Sequence, residues 1–199
     1  MSTVIIQYNA GNTQSVQNAL QRLGVEAVVT ADPAAIRDAG KVIFPGVGAA
    51  GSAMEYLRAQ QLDRLMLSLT QPVLGICLGL QLMCAHSEEE DTPCLGIFDV
   101  PVRKFPRGSQ ERPPKIPQMG WNNIYDLSSL LFRGIPENSF VYYVHSYYAV
   151  LSPEAVATTD YIIPYAAALH RDNFYGVQFH AEKSADTGSR ILENFLKYT

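Results

Sequence analysis

Long apolar runs are missing from this 199-residue chain: no stretch approaches the roughly eighteen residues that a membrane-crossing helix needs. The opening Met1-Ser2-Thr3-Val4-Ile5-Ile6-Gln7-Tyr8 has no basic segment ahead of an apolar one, so it lacks a secretory layout. Cysteine is scarce, with three residues at 77, 84 and 94. The number is odd, no CxxC spacing occurs, and no histidine pair is placed for zinc, which excludes a disulfide scaffold and a zinc site. A reducing, cytoplasmic setting fits that usage. Basic charge is short as well. Fifteen Lys and Arg against 19 Asp and Glu leave a net charge of −4, opposite to the usual sign of a nucleic-acid binder. Charged residues reach only 17%, below the usual quarter or so, as expected of a well-buried sheet or an interface. The chain is also shorter than the roughly 250 residues of a (β/α)₈ barrel. One domain over residues 1–199 is the expectation.

The first half alternates strand and helix signals. Thr3–Tyr8 is a β-branched run, and Val16, Ala19, Leu20 and Leu23 follow at helical spacing with Gly24 as a stop. Val25–Thr30 reads as a second strand, and Asp32-Pro33 as a capped helix start. Val42-Ile43-Phe44 precedes Pro45-Gly46-Val47-Gly48. A helix pair through Met54–Leu69 leads to the apolar Val73-Leu74-Gly75-Ile76. This rhythm predicts an α/β fold with an open, mostly parallel, flavodoxin-like sheet flanked by helices. From Leu95 to Phe179, strands rich in Tyr, Val and Phe predict added antiparallel strands at one edge of that sheet. Residues 103–117 form a basic, proline-rich segment, read as a solvated loop with partner contact as the alternative. The acidic run Glu88–Asp91 reads as a solvated turn.

Gly75-Ile76-Cys77-Leu78-Gly79 follows an apolar strand and opens a helical stretch, which is the G-x-nucleophile-x-G layout of a nucleophile elbow. The glycines admit neighbouring backbone close to a sharp strand-to-helix turn. A helix N-terminus there favours the thiolate, and the Leu78 N–H would face a developing oxyanion. On local sequence alone a buried structural cysteine is equally open for Cys77. Cys84 and Cys94, without flanking glycines, read as structural. A base must come from elsewhere in the chain. His180 ends the strand-like Tyr175–Phe179, and Glu182 lies two residues on, on the same side of an extended chain, where its carboxylate can orient the imidazole. His86 and His170 read as exposed or structural.

These residues resemble two signatures of the class I (triad) glutamine amidotransferases: Gly75-Ile76-Cys77-Leu78-Gly79-Leu80-Gln81 and Gly176-Val177-Gln178-Phe179-His180-Ala181-Glu182-Lys183-Ser184. Pro45–Gly48, Gln118-Met119-Gly120-Trp121-Asn122 and Tyr143-Val144-His145-Ser146-Tyr147-Tyr148 are similar to one branch, the glutaminase subunits that feed imidazole glycerol phosphate synthase in histidine biosynthesis. The resemblance implies Cys77 as nucleophile, His180 as general acid and base, and Glu182 as its orienting carboxylate. It implies L-glutamine held by Gly48, Gln81, His145, Ser146 and Tyr147, with oxyanion donors from Val47, Gly48 and Leu78. It further implies a (β/α)₈ cyclase as a separate partner subunit, faced by Trp121 and Lys183 and, more weakly, by Asn12 and Tyr142. For Trp121 the residue itself leaves core packing open as the alternative. No cofactor, metal, nucleic acid or membrane is implied.

One position departs from the pattern, with Ala181 where the family usually carries proline, which loosens the backbone beside His180. Glycines at 46 and 48 allow the peptide on either side of Val47 to turn, so one oxyanion donor can be withheld until the partner is liganded. In that reading Gly48→Pro reduces stimulated turnover. Three other readings stay open from sequence: a subunit serving another ammonia acceptor such as surface-sugar amidation, a stand-alone cysteine hydrolase, and an inactive scaffold.

Overall fold

The computed structural model describes residues 2–106 and 114–199. Residues 107–113, the middle of the basic, proline-rich segment expected as a loop, therefore lie outside the described residues. The chain runs β1 (Thr3–Ile6), α1 (Thr13–Arg22), β2 (Ala27–Thr30), α2 (Pro33–Asp38), β3 (Lys41–Gly46), α3 (Ala50–Ala59), α4 (Leu62–Ser68), β4 (Val73–Cys77) and α5 (Leu78–Met83). The local signals are those the sequence carries. Asp32 caps α2 by accepting from the Ala34 and Ala35 N–H groups at 3.3 and 3.2 Å, and Gly24, at φ +75°, follows the end of α1. Beyond α5 come β5 (His86–Ser87), β6 (Thr92–Pro93), β7 (Pro101–Lys104), β8 (Gln118–Ile124), β9 (Ser139–His145), β10 (Tyr147–Ala149), β11 (Ala155–Tyr161), β12 (Ile163–Arg171), β13 (Phe174–Val177) and α6 (Ala185–Tyr198).

A seven-stranded sheet in the order β11-β12-β13-β4-β3-β1-β2 organises the molecule. β13, β4, β3, β1 and β2 are mutually parallel, while β12 and β11 extend the edge antiparallel. β1, β3, β4 and β13 are buried on both faces, which is why their sequences are continuous apolar runs rather than alternations, while β2 at the edge is partly exposed. Ile6, Phe44, Met54, Leu57 and Leu80 pack on one face, and Ile5, Ile43, Ile76, Ile191 and Phe195 on the other.

The second half departs from the single-edge expectation. Of its strands only β11, β12 and β13 join the main sheet, β13 in parallel; β10-β7-β5-β6 form a separate four-stranded sheet, and β8 pairs with β9 in a two-stranded ribbon. The ribbon reaches the main sheet through the isolated bridge Tyr125↔Thr158. Period-two patterning identifies a strand without naming its neighbour, and these strands pair mostly with one another.

Candidate active site

Three parallel neighbours, β3, β4 and β13, end side by side, the place where open α/β sheets bind ligands. β4 ends on Cys77, held at φ 55° and ψ −111°, a sparsely populated backbone state for a residue with a side chain. The turn depends on close approach by the next glycine: a Cβ on Gly79 would collide with the Phe44 carbonyl of β3. So β3 clamps the elbow, and α5 starts at Leu78 directly beyond Cys77. Cys77 Sγ lies 3.8 Å from Gln178 Nε2 and 3.9 Å from the Val144 carbonyl.

β13 runs out through Gln178 and Phe179 to His180. His180 Nδ1 is 2.7 Å from Glu182 Oε1, with both residues buried. Burial disfavours a charge on His180. Its hydrogen bonds to the Cys77 and Glu182 side chains, together with their negative charges, outweigh that and raise its pKa to about 10. The raised value stabilises the fold below the ordinary pKa near 6.5, and this contribution is lost as pH rises through about 10. Removing the Cys77 side chain removes one of the influences that raise the His180 pKa. In Cys77→Ala the His180 ring is therefore expected to titrate at lower pH than in the parent protein, as read by NMR of the imidazole protons. An unchanged titration would mean that sulfur and ring do not interact.

Ala181 begins a 3₁₀ turn (Ala181–Lys183). Hydrogen bonds hold the backbone here. Ser184 Oγ donates to the His180 carbonyl at 2.6 Å, the Tyr142 N–H donates to Ser184 Oγ at 2.9 Å, and the His180 N–H donates to the Tyr142 carbonyl at 2.9 Å. His180 is thereby tied to the β8–β9 ribbon from both ends of its peptide.

Cys77, His180, Val47, Gly48, Leu78, Gln81, His145, Ser146, Tyr147 and Lys183 border one cavity of about 370 Å³, along with Glu89, Pro117 and Val144. That volume suits a small molecule. Gln81 is buried rather than exposed; its Nε2 donates to the Tyr147 carbonyl at 2.8 Å and to Gln178 Oε1 at 3.0 Å. His145 turns its ring away from the sulfur. Nδ1 meets the Tyr147 carbonyl at 2.7 Å, Nε2 lies 3.0 Å from the Tyr165 hydroxyl, and burial lowers its pKa to about 4. A neutral ring tied at both nitrogens fixes the Ser146-Tyr147 backbone and does not act as a second base.

The expectation for the Pro45–Gly48 loop is that it can withhold one donor. In this conformation the Val47 N–H donates to the Ala10 carbonyl at 2.5 Å and is not free to face the cavity. Gly48 stands at φ +104°, which proline cannot adopt. A Gly48→Pro experiment would thus rebuild the loop as well as remove a donor, and Val47 is the position to test.

Two further residues join the site beyond those the sequence singles out. Glu89, expected in a solvated turn, instead accepts from the Ala50 N–H at 2.8 Å through Oε2, and its carboxyl lines the cavity. Glu88 Oε2 similarly accepts from the Lys104 N–H at 2.8 Å, and Asp91 pairs with His86 at 2.9 Å. Half the run is therefore anchored on backbone amides. Burial raises the Glu89 pKa, countered in part by the Ala50 N–H. Gln178, fully buried, links Gln81 to the sulfur. Its place inside the Gly176–Ser184 motif is the available signal.

Outside the cavity, β8 and β9 carry an exposed apolar face. Met119 is 66%, Trp121 52% and Phe140 58% exposed, and the Trp121 and Tyr142 rings pair edge-on across the register. Core packing is thus excluded for Trp121. Asn12 precedes α1 without a side-chain cap bond, two residues beyond Ala10 and the oxyanion loop. Among the described residues no helix is long and apolar enough to cross a membrane, and no three His, Cys, Asp or Glu side chains group as a metal site.

Residues 4–198 match the family model described as glutamine amidotransferase class-I. The chain is 56% identical over 196 residues to the imidazole glycerol phosphate synthase subunit HisH of Bacteroides thetaiotaomicron, covering 98% of this chain and 99% of that protein. It is 42% identical to the HisH subunit of Escherichia coli K12, covering 99% and 100%. Among solved structures, a glutamine amidotransferase from Thermotoga maritima superposes with a TM-score of 0.62 at 20% identity, covering 98% and 82%. PurLQS from the same organism gives 0.68 at 14%, covering 99% and 98%. These two bear on the fold alone. The chain belongs to the class I glutamine amidotransferases, among the HisH subunits of imidazole glycerol phosphate synthase.

Proposed function

We propose that this chain, acting as one domain, is the cytoplasmic glutaminase subunit of imidazole glycerol phosphate synthase. The carrying observation is that a strained Cys77 and a His180 held by Glu182 meet at one cavity with Gln81, Ser146 and Tyr147. The Cys77 thiolate attacks the side-chain amide carbon of glutamine, and the oxygen takes up negative charge beside the Leu78 N–H. The His180 imidazolium gives its proton to the amide nitrogen, the C–N bond breaks, and ammonia leaves a glutamyl thioester. His180, now neutral, takes a proton from water. The hydroxide adds to the thioester, the C–S bond breaks, and glutamate departs with Cys77 restored as thiolate. Glu182 holds the imidazole through Nδ1 and stabilises its charged form.

Glu89 is the carboxylate on the cavity wall suited to the glutamine α-ammonium, with one oxygen fixed by the Ala50 N–H. Glu89→Gln keeps an amide oxygen for Ala50 but removes the charge. It is expected to raise KM for glutamine roughly ten- to a hundredfold with a smaller effect on kcat, the loss typical of a hydrogen bond to a charged group. A KM within twofold of the parent would place the ammonium elsewhere.

Released ammonia needs an acceptor site that this chain does not supply. The exposed face of Met119, Trp121, Phe140 and Tyr142, beside Lys183 at the cavity, supports docking of a (β/α)₈ cyclase that binds N′-phosphoribulosyl-formimino-AICAR ribonucleotide. Ammonia passing into that barrel yields imidazole glycerol phosphate and AICAR. Buried aromatic anchors carry most binding energy at such interfaces, and Trp121 and Tyr142 fit that role. A glutamine-like alkylating agent tests the site itself. It is expected to label Cys77 alone among the three cysteines, with glutamine protecting, as read by peptide mass. Labelling that glutamine does not slow would contradict the proposal.

A further inference from the structure

Tyr8 lies just beyond β1, its ring packed on Phe44 with centroids 5.2 Å apart. The side chain is buried, and its hydroxyl has no hydrogen-bond partner among the described residues. A buried orphan hydroxyl is unfavourable, and phenylalanine would fill the same space without it. The hydroxyl sits at a particular place. A Cβ built on Gly46 would run into it, and would also lie 2.8 Å from Leu78 Cβ and 2.9 Å from the Gly79 nitrogen. An unused donor thus stands between the end of β3 and the elbow, beside the peptide that joins Gly46 to Val47.

We propose that Tyr8 is a positioning residue for the working oxyanion loop, its hydroxyl donating to the Gly46 carbonyl once the Gly46–Val47 peptide turns its N–H into the cavity. The inference rests on the proposed glutaminase reading. In a trans peptide the N–H and C=O point in opposite directions. With the Val47 N–H on the Ala10 carbonyl, the Gly46 oxygen faces away from the segment that carries Tyr8 and Ala10. A half-turn frees the Val47 N–H for the oxyanion and swings the Gly46 oxygen toward that segment, where Ala10 has just lost its donor. Without Tyr8, two carbonyl oxygens would then be left unpaired. With Tyr8, one orphan is exchanged for another: the hydroxyl is unpaired at rest, and the Ala10 carbonyl after the turn. The two states are kept close enough in energy for a partner to tip them. Burial, and behind it the charge of Cys77, keeps the phenol protonated, so the donor persists at working pH.

The test compares the parent protein, Tyr8→Phe, and a variant carrying 4-aminophenylalanine at position 8, each alone and with a cyclase subunit plus its ribonucleotide. In Tyr8→Phe the ratio of stimulated to unstimulated kcat for glutamate release is expected to fall about tenfold, the loss of one carbonyl hydrogen bond, with KM for glutamine unchanged. Its melting temperature is expected to equal or exceed that of the parent, since an orphan has been removed. The amino variant, which keeps a donor, is expected to regain most of the ratio. An undiminished ratio in Tyr8→Phe overturns the inference, as does an equal fall in both rates together with a lower melting temperature. A parent protein that the liganded cyclase does not stimulate overturns the underlying reading instead, and the inference with it.

Discussion

Cys77→Ala is expected to abolish glutamine-dependent synthesis of imidazole glycerol phosphate while the reconstituted complex still uses added ammonium salts. Removing the attacking sulfur leaves no route to the thioester, and in other covalent triads loss of the nucleophile costs on the order of 10⁶ in kcat. Alanine keeps the Cβ, so the elbow's backbone at φ 55° is no more and no less strained than before, and the fold around Gly79 and Phe44 is retained. The ammonia-dependent rate is a property of the partner barrel and should be within about twofold of the parent complex, a margin small beside the loss on glutamine. Paired assays with glutamine and with ammonium as nitrogen source separate the half-reactions. Retained glutamine use would remove Cys77 from the mechanism. Loss of both activities would show instead that the substitution disturbs assembly.

The second large effect is expected at Val47. Its N–H is spent on the Ala10 carbonyl, so in the proposed reading the resting site relies on the Leu78 N–H at the start of α5. An oxyanion-hole donor is worth roughly 10²–10³ in kcat. Val47→Pro has no N–H to contribute in either loop conformation. Glutaminase stimulated by the liganded cyclase should therefore fall by that factor, toward the unstimulated rate. KM for glutamine should change far less, because the donor acts on charge that develops only in the transition state. Steady-state glutamate release with and without cyclase ligand reads this directly. Stimulation surviving within a fewfold would mean that Gly48 or another group supplies the second donor.

The parts of the site legible in the sequence are those governed by short-range geometry. A turn forced to φ 55° with β3 pressed against it admits little but glycine at 79. A His and Glu two apart are close neighbours in sequence, although it is the 3₁₀ turn Ala181–Lys183 rather than the expected extended chain that brings them together. The parallel core is legible because strands buried on both faces are apolar throughout. Glu89 is hidden because its role depends on Ala50, 39 residues away, where the N–H at the head of α3 pins the carboxylate at the cavity. The burial of Gln81 is hidden because Gln178 and the Tyr147 carbonyl come from the second half of the chain. The small sheets escape a single-edge reading for a related reason: alternation marks β7, β8, β9 and β10 as strands, whereas pairing partners follow from the tertiary arrangement. Even Tyr8, an ordinary strand-end aromatic in sequence, acquires its interest only from a buried hydroxyl without a hydrogen-bond partner among the described residues.

Glutamate release from glutamine, measured for this chain alone and again with a liganded cyclase, tests the central claim most directly. The account predicts slow turnover alone and stimulation of at least about a hundredfold in the liganded complex, the worth of the withheld donor. Steady turnover alone, unmoved by the liganded cyclase, would contradict it and assign the same Cys77 chemistry to a different acceptor or to an independent hydrolase.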